Sequence, residues 1–273
     1  ELAACVAREN ETVLERLNPW VRQVLKSGGM TKQVACMREV VFLCNAPDLE
    51  AMPAFCVGTR MLGRSLPIEG MPIRVRESQA SKEEFRAHRD VWNRKVVAQA
   101  KRVTDAPSVA KSWDKSLAEA ERGVVLGPFR KMFEILVPSP GLCWRKAVWE
   151  TRNGEQEVRV IDDMFVSSQN LTAGYESTHV PMTADAVGAQ VRAADVRFAG
   201  DKLAEYPSDF AKAYKQIPDD PSEVENLVLA RFEPETKELA YWLPLTLLFG
   251  GRFAPLLFTR FFGVCDRCGY TVM

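Results

Sequence analysis

Two stretches of alternating polarity, each folded back by a short turn, limit this chain's fold more tightly than anything else in it. The first runs LCWRKAVWET (142–151), a turn at RNGE (152–155), then QEVRVIDDM (156–164). Asn-Gly between alternating runs is a strong hairpin signal, because a type I′ turn needs φ > 0 at both central positions. The second runs NLVLARFE (226–233), a turn at PETK, then ELAYWLPL (238–245). A domain that holds both hairpins is built on a largely antiparallel sheet.

Helical periodicity dominates before the first hairpin. Val13, Leu14, Leu17, Trp20, Val21 and Val24 have helix-like spacing over 11–26, ended by GGMTK at 28–32. VACMREVVFLC (34–44) starts an apolar segment, and 51–77 carries several Gly and Pro and reads as irregular. At Ser81 the signal sharpens: Glu84 follows three residues later, a capping box, and FRAHRDVWNRKVVAQAKRV continues with an apolar stripe. Its cations (Arg86, Arg89, Arg94, Lys95, Lys101, Arg102) form either a solvated face or a surface that follows nucleic-acid phosphate. A second helix is predicted over 107–122, stopped at Gly123. Thr183 is placed to cap a helix over 184–195, and LAEYPSDF (203–210) reads as a strand. Helices first, then hairpins mixed with helices, give an α+β class. The expected division is a mixed N-terminal extension over 1–80 and a main domain over 81–273.

Composition is that of a globular chain: 273 residues, 47% apolar and 26% charged. Lys+Arg and Asp+Glu are both 36, so net charge names no partner, and any nucleic-acid surface has to be local. Seven scattered cysteines argue for free thiols in a reducing, intracellular compartment. The N-terminus has no apolar signal core, and the absence of an initiator Met suggests a fragment. Residues 241–265 are long and apolar enough to span a bilayer. However, Arg252 and Arg260 lie within them and Pro244, Gly250, Gly251 and Pro255 interrupt them, so a buried core segment and no membrane contact are expected. Cys265 and Cys268 make half of a zinc-type site with no second pair. Ser208, His179 and Asp209 could be written as a triad, yet no nucleophile-elbow motif supports it, and no Walker-type loop is present.

Three further segments carry chemistry. In RVIDDM (159–164), alternation puts Arg159 and Ile161 on one face and Val160 and Asp162 on the other. Arg159 there is either a phosphate ligand or half of a structural Arg–Asp pair. In DFAKAYKQIP (209–218), Asp209 is either an ordinary strand-end acid or a rigid carboxylate suited to Mg²⁺. In FGGRFAPLLF (249–258), Gly250 and Gly251 permit unusual backbone angles or close approach to a ligand, and a structural loop is the alternative.

In this order and spacing the three segments resemble sequence blocks of retroelement reverse transcriptases. DFAKAYKQIP looks like the first catalytic block of the palm, RVIDDM like the Arg- and Asp-bearing fingers block, and FGGRFAPLLF like the Phe-Gly…Ala-Pro…Phe block. WDKSLAEAERGVVLGPF (113–129) resembles the segment before the fingers hairpin, and the hairpin over 226–245 sits where that family has one. The resemblance covers roughly residues 50–262. It implies a right-hand polymerase fingers and partial palm, truncated before the thumb, that acts on an RNA or DNA template-primer with deoxynucleoside triphosphates. By the same resemblance Asp209 is the catalytic carboxylate and, with the Phe210 carbonyl, a ligand of two Mg²⁺ ions. Arg159 holds the incoming triphosphate, Tyr214 walls off the sugar 2′ position, and Gly250 lies against the nascent base pair. Lys212, Lys215 and Arg252 are weaker candidates for nucleic-acid contact. The family's block of two adjacent Asp is expected beyond Met273, so these residues alone are expected to be inactive. The adjacent pairs Asp162–Asp163 and Asp219–Asp220 do not replace it. The alternative reading is a non-catalytic, nucleic-acid-binding relic of the same fold.

Overall fold

The computed structural model describes residues 2–27, 32–46, 48–65, 67–102, 106–131, 140–152, 154–178, 189, 192–193, 196–197 and 212–272. Four helices open the chain: α1 (Leu2–Glu15), α2 (Pro19–Lys26), α3 (Val34–Leu43) and α4 (Ala51–Val57). The single helix expected over 11–26 is two helices. Asn18 caps the second by accepting from Trp20 N–H at 2.9 Å, and Pro19 occupies its first turn. Proline lacks the N–H that would continue α1 and is pre-set for a helix start, so the break follows from one residue.

The segment 51–77, expected to be irregular, holds α4 and two short strands, β1 (Arg64–Ser65) and β2 (Ile73–Arg76). These join β6 (Gly174–Ser177) in a three-stranded sheet of order β1-β6-β2. The capping box forms as read: Ser81 Oγ accepts from Glu84 N–H at 3.0 Å, and Glu84 accepts from Ser81 N–H at 2.7 Å. It opens α5 (Lys82–Ala87). A break at His88 separates α5 from α6 (Arg89–Lys101), where one continuous helix was expected. Ser81→Ala is expected to lower unfolding free energy by about 1 kcal/mol in urea denaturation; no change would show that the cap is redundant.

Helix α7 (Ala106–Glu121) ends before Gly123, whose φ of 72° is the left-handed stop anticipated there. Both hairpins are present in one five-stranded sheet. Its strands are β3 (Val125–Phe129), β4 (Leu142–Arg152), β5 (Glu155–Asp163), β7 (Val228–Phe232) and β8 (Leu239–Pro244), in the order β3-β8-β7-β4-β5. All neighbours are antiparallel except β4 and β7, which run parallel. The fold is therefore α+β with a mixed sheet.

Alternation sends the strands' side chains to two covered faces. Cys143, Leu229 and Trp242 pack with Trp113 of α7, where the two indole rings meet edge to face at 5.4 Å between centroids. Leu142, Val228, Ala230 and Leu243 pack beneath Val96 of α6. The first core also takes Leu14, Val21, Leu25, Val41 and Phe55 from α1–α4, so residues before and after 80 share it.

After β8 the apolar stretch runs through a turn into α8 (Ala254–Val272). Among the described residues no helix is long and apolar enough to cross a membrane. Arg260 explains how a charge sits inside that stretch: its Nη2 reaches Asp48 Oδ1 at 2.8 Å, and its Nε reaches the other carboxylate oxygen. The helix expected over 184–195 and the strand over 203–210 lie outside the described residues, apart from a few isolated positions in the former.

Candidate functional site

Three segments far apart in sequence meet at the outer edge of the sheet. On β5 the alternation is as read: Val158 and Asp162 are buried, and Arg159 projects from the opposite face with 48% of its side chain exposed. Its guanidinium lies 4.3 Å from the centroid of the Phe249 ring, and Nη1 reaches Glu150 on β4 at 3.3 Å. A guanidinium held over an aromatic face is oriented without losing its charge or its outward donors.

Tyr214 reaches the same place from a 3₁₀ turn, Ala213–Gln216, whose N-terminal residue Lys212 adopts φ 57°. Its ring centroid is 5.8 Å from Phe249 and 5.7 Å from Phe258, the latter edge to face. Burial pushes the Tyr214 phenol up, opposed by the nearby charge of Arg159. Gly250 completes the contact. Its φ is 119°, and a Cβ there would lie 2.2 Å from the Asp162 carbonyl oxygen of β5. Asp162 N–H donates to Phe249 O at 2.8 Å, and Asn170 Nδ2 donates to Gly250 O at 3.0 Å. Asn170 Oδ1 in turn accepts from Arg252 N–H at 2.8 Å, so one amide side chain holds both sides of the 250–252 turn.

Behind this edge lies a buried charge network of Arg145, Asp162, Glu119 and Lys215. Arg145 on β4 is 2% exposed and donates twice to Asp162, Nε to Oδ1 at 2.7 Å and Nη2 to Oδ2 at 3.2 Å. Its Nη1 donates to Glu119 Oε2 of α7 at 2.7 Å. Burial works against the charged form of Arg145, and the two carboxylates more than offset it, so its pKa rises. The Arg–Asp pair anticipated for RVIDDM therefore exists, with Arg145 rather than Arg159 as its cation.

Lys215, expected as a nucleic-acid contact, is turned inward. Its side chain is 13% exposed, with Nζ 3.6 Å from Glu119 and 3.9 Å from Asp162. Two carboxylates draw it in, so it is not presented to a strand's phosphates. Lys212 is exposed, whereas Arg252 is half-buried, and burial and the like charge of Arg76 lower its pKa. Asp209 and Phe210, with Ser208 and His179, lie outside the described residues.

The carboxylates that are described do not assemble a metal site. Asp162 and Glu119 face Arg145 and Lys215, and Asp163 pairs with Lys146. Burial, and then the charge of Glu223, push the Asp219 carboxyl up. Glu223 itself accepts from the Met61 and Leu62 N–H groups at 2.7 and 2.9 Å and pairs with Lys82. Among the described residues no group of three or more His, Cys, Asp or Glu could hold a metal ion.

Sequence reasoning missed Asn170, Glu119 and Arg145 as members of this region, and gave Phe249 no role beyond its place in FGGRFAPLLF. For Arg145 a signal existed, since alternation puts it on the same strand face as the apolar, buried Cys143. Comparison with protein-family models gives no match, and neither does comparison with curated protein sequences.

Proposed function

We propose that this chain carries the fingers and part of the palm of a retroelement RNA-directed DNA polymerase. The reading rests on the meeting of Arg159, Tyr214 and Phe249–Gly250, three positions drawn from the three blocks that carry the resemblance. In it Arg159, steadied by Phe249, receives the triphosphate of an incoming deoxynucleotide. Tyr214 stands beside it as the wall at the sugar, and the tight turn at Gly250 keeps the base-pair face free of side chain. The chemistry is transfer of a nucleotidyl group to a primer 3′-hydroxyl on an RNA or DNA template, inside the cell. Mg²⁺, held by Asp209 and the Phe210 carbonyl, would supply charge neutralisation at the phosphates.

The test has two arms. A protein extended through the paired-Asp block is expected to lengthen a primer on an RNA template, and Asp209→Ala is expected to abolish that extension. Full extension by Asp209→Ala would reject the metal role. In the second arm, the 273-residue chain is expected to shift a primer–template in a gel, with binding that weakens as salt rises. No shift at low salt overturns the reading. A shift without extension by the longer protein leaves the non-catalytic binding relic.

A further inference from the structure

The parallel pair β4–β7 stays hydrogen-bonded only over Leu142–Trp144 against Val228–Ala230. Past those residues the chain departs in opposite directions, β4 into its hairpin with β5 and β7 into its hairpin with β8. In open α/β sheets, ligands sit in a crevice where neighbouring parallel strands part; here the parting lies early in β4, which runs on to Arg152. A cavity of about 300 Å³ opens at that point, at the small end of the range for ligand sites.

Its lining is cationic. Arg145 and Lys146 come from β4, Arg231 from β7, Lys101 from the end of α6 and Lys237 from the β7–β8 turn. The one acid among them, Glu233, is engaged by Arg130 at 2.6 Å. Arg145 is matched by Asp162 and Glu119, and Lys146 by Asp163. Arg231 has no such match. It is 4% exposed and donates to Ser116 Oγ at 3.4 Å, to Val109 O at 3.3 Å and to Ser112 Oγ, all neutral acceptors. Its Nε has no partner among the described residues. The same Ser116 hydroxyl accepts from Arg145 at 3.3 Å, so two guanidiniums converge on one oxygen. Burial first, then the like charge of Arg145, disfavour the charged form of Arg231, and the more distant charge of Asp162 offsets this only in part. A buried guanidinium among neutral acceptors and beside a second guanidinium is short of an anion. Lys101 and Lys237 are exposed and add two more positive charges to the lining.

We infer that this crevice binds the phosphate group of a small phosphorylated ligand, with Arg231 as its buried anchor and Lys101 and Lys237 closing on it from solvent. Three cations with no ion-paired carboxylate among the described residues call for a multiply charged oxyanion, and the planar guanidinium fork matches phosphate geometry. The site is separate from the Arg159–Tyr214–Gly250 edge and does not depend on the polymerase reading.

Calorimetric titration of inorganic phosphate and pyrophosphate into the chain, at ionic strength held constant with chloride, tests it. Saturable binding is expected, weakened at least tenfold in Arg231→Gln. Because Arg231 is buried, the exposed double variant K101E/K237E serves as a second test that leaves the core untouched, and a loss of tenfold or more is expected there too. Asp209→Ala should bind both probes as the wild type does, which keeps this site distinct from the proposed catalytic one. No binding beyond the chloride reference, wild-type binding by K101E/K237E, or loss of binding in Asp209→Ala overturns the inference.

Discussion

Arg145→Met is expected to lower the free energy of unfolding by about 3–5 kcal/mol in urea denaturation. The reason is what remains, not what is removed. Asp162 is 1% exposed and Glu119 14% at their side chains, and each loses a charge-assisted hydrogen bond of 2.7 Å. Lys215, at 3.6 and 3.9 Å, is left as the one cation in ion-pair contact with either carboxylate among the described residues. Removing one partner from a buried ionic set strands the other charges, whereas replacing the set with apolar residues of similar size is often neutral. Arg145→Met/Asp162→Leu should therefore recover part of the loss. A single-variant cost under about 1 kcal/mol would show that Arg145 contributes packing and little else.

The same network sets an acid limb. Burial pushes the Glu119 carboxyl up, but the charges of Lys215 and Arg145 and the Arg145 hydrogen bond outweigh it and hold the group at about 2. Its folded value thus lies below the unfolded one of 4.5. Stability from this group is complete above pH 4.5 and is lost as pH falls toward 2, on the order of 3 kcal/mol in all. In Arg145→Met the loss between those pH values should shrink without vanishing, because Lys215 still faces Glu119. An unchanged acid limb in the variant would mean that Glu119 is held down by Lys215 and Arg122 without Arg145.

These two results concern residues that the sequence showed only in part. The hairpins were legible because alternation and an Asn-Gly turn are local signals, and the same holds for Ser81–Glu84 and Gly123. Arg159 and Asp162 could be put on opposite faces of β5 by counting. What counting could not supply was the partner. Arg145 and Asp162 share a register position across β4 and β5, yet Glu119 comes from a helix and Lys215 from a turn fifty residues beyond the hairpin. Nothing in DFAKAYKQIP distinguishes a lysine that faces solvent from one drawn in by two carboxylates. Nor does a strand pattern reveal that β4 and β7 run parallel, since the crossover between them is long and its pairing non-local. Breaks inside helices divide the same way: Pro19 announces its own, and His88 does not.

Gly250→Ala is expected to cost on the order of 3 kcal/mol, and a second glycine separates the two causes. A φ of 119° is strained for any residue with a Cβ, a cost of roughly 1–3 kcal/mol. The new methyl would also meet the Asp162 carbonyl oxygen at 2.2 Å. That oxygen belongs to the backbone of β5 and cannot turn aside as a flexible side chain could. Relief requires the 249–252 turn to lift from the strand, against the Asp162–Phe249 bond of 2.8 Å and the Asn170–Gly250 bond of 3.0 Å. Overpacking of this kind adds roughly 1–3 kcal/mol. Gly154, in the tip of the β4–β5 hairpin, has φ 82° but open space where its Cβ would go. Gly154→Ala therefore bears the backbone cost alone and should lose only about 1 kcal/mol. Measured without nucleic acid or nucleotide, the difference between the two variants reports the close approach to β5. That contact also brings Phe249 under Arg159 and beside Tyr214, so in Gly250→Ala the quenching and anisotropy of Tyr214 should loosen together with stability. Equal losses in the two variants would mean that Gly250 is needed for its backbone angle and that the packing of this turn on β5 contributes nothing.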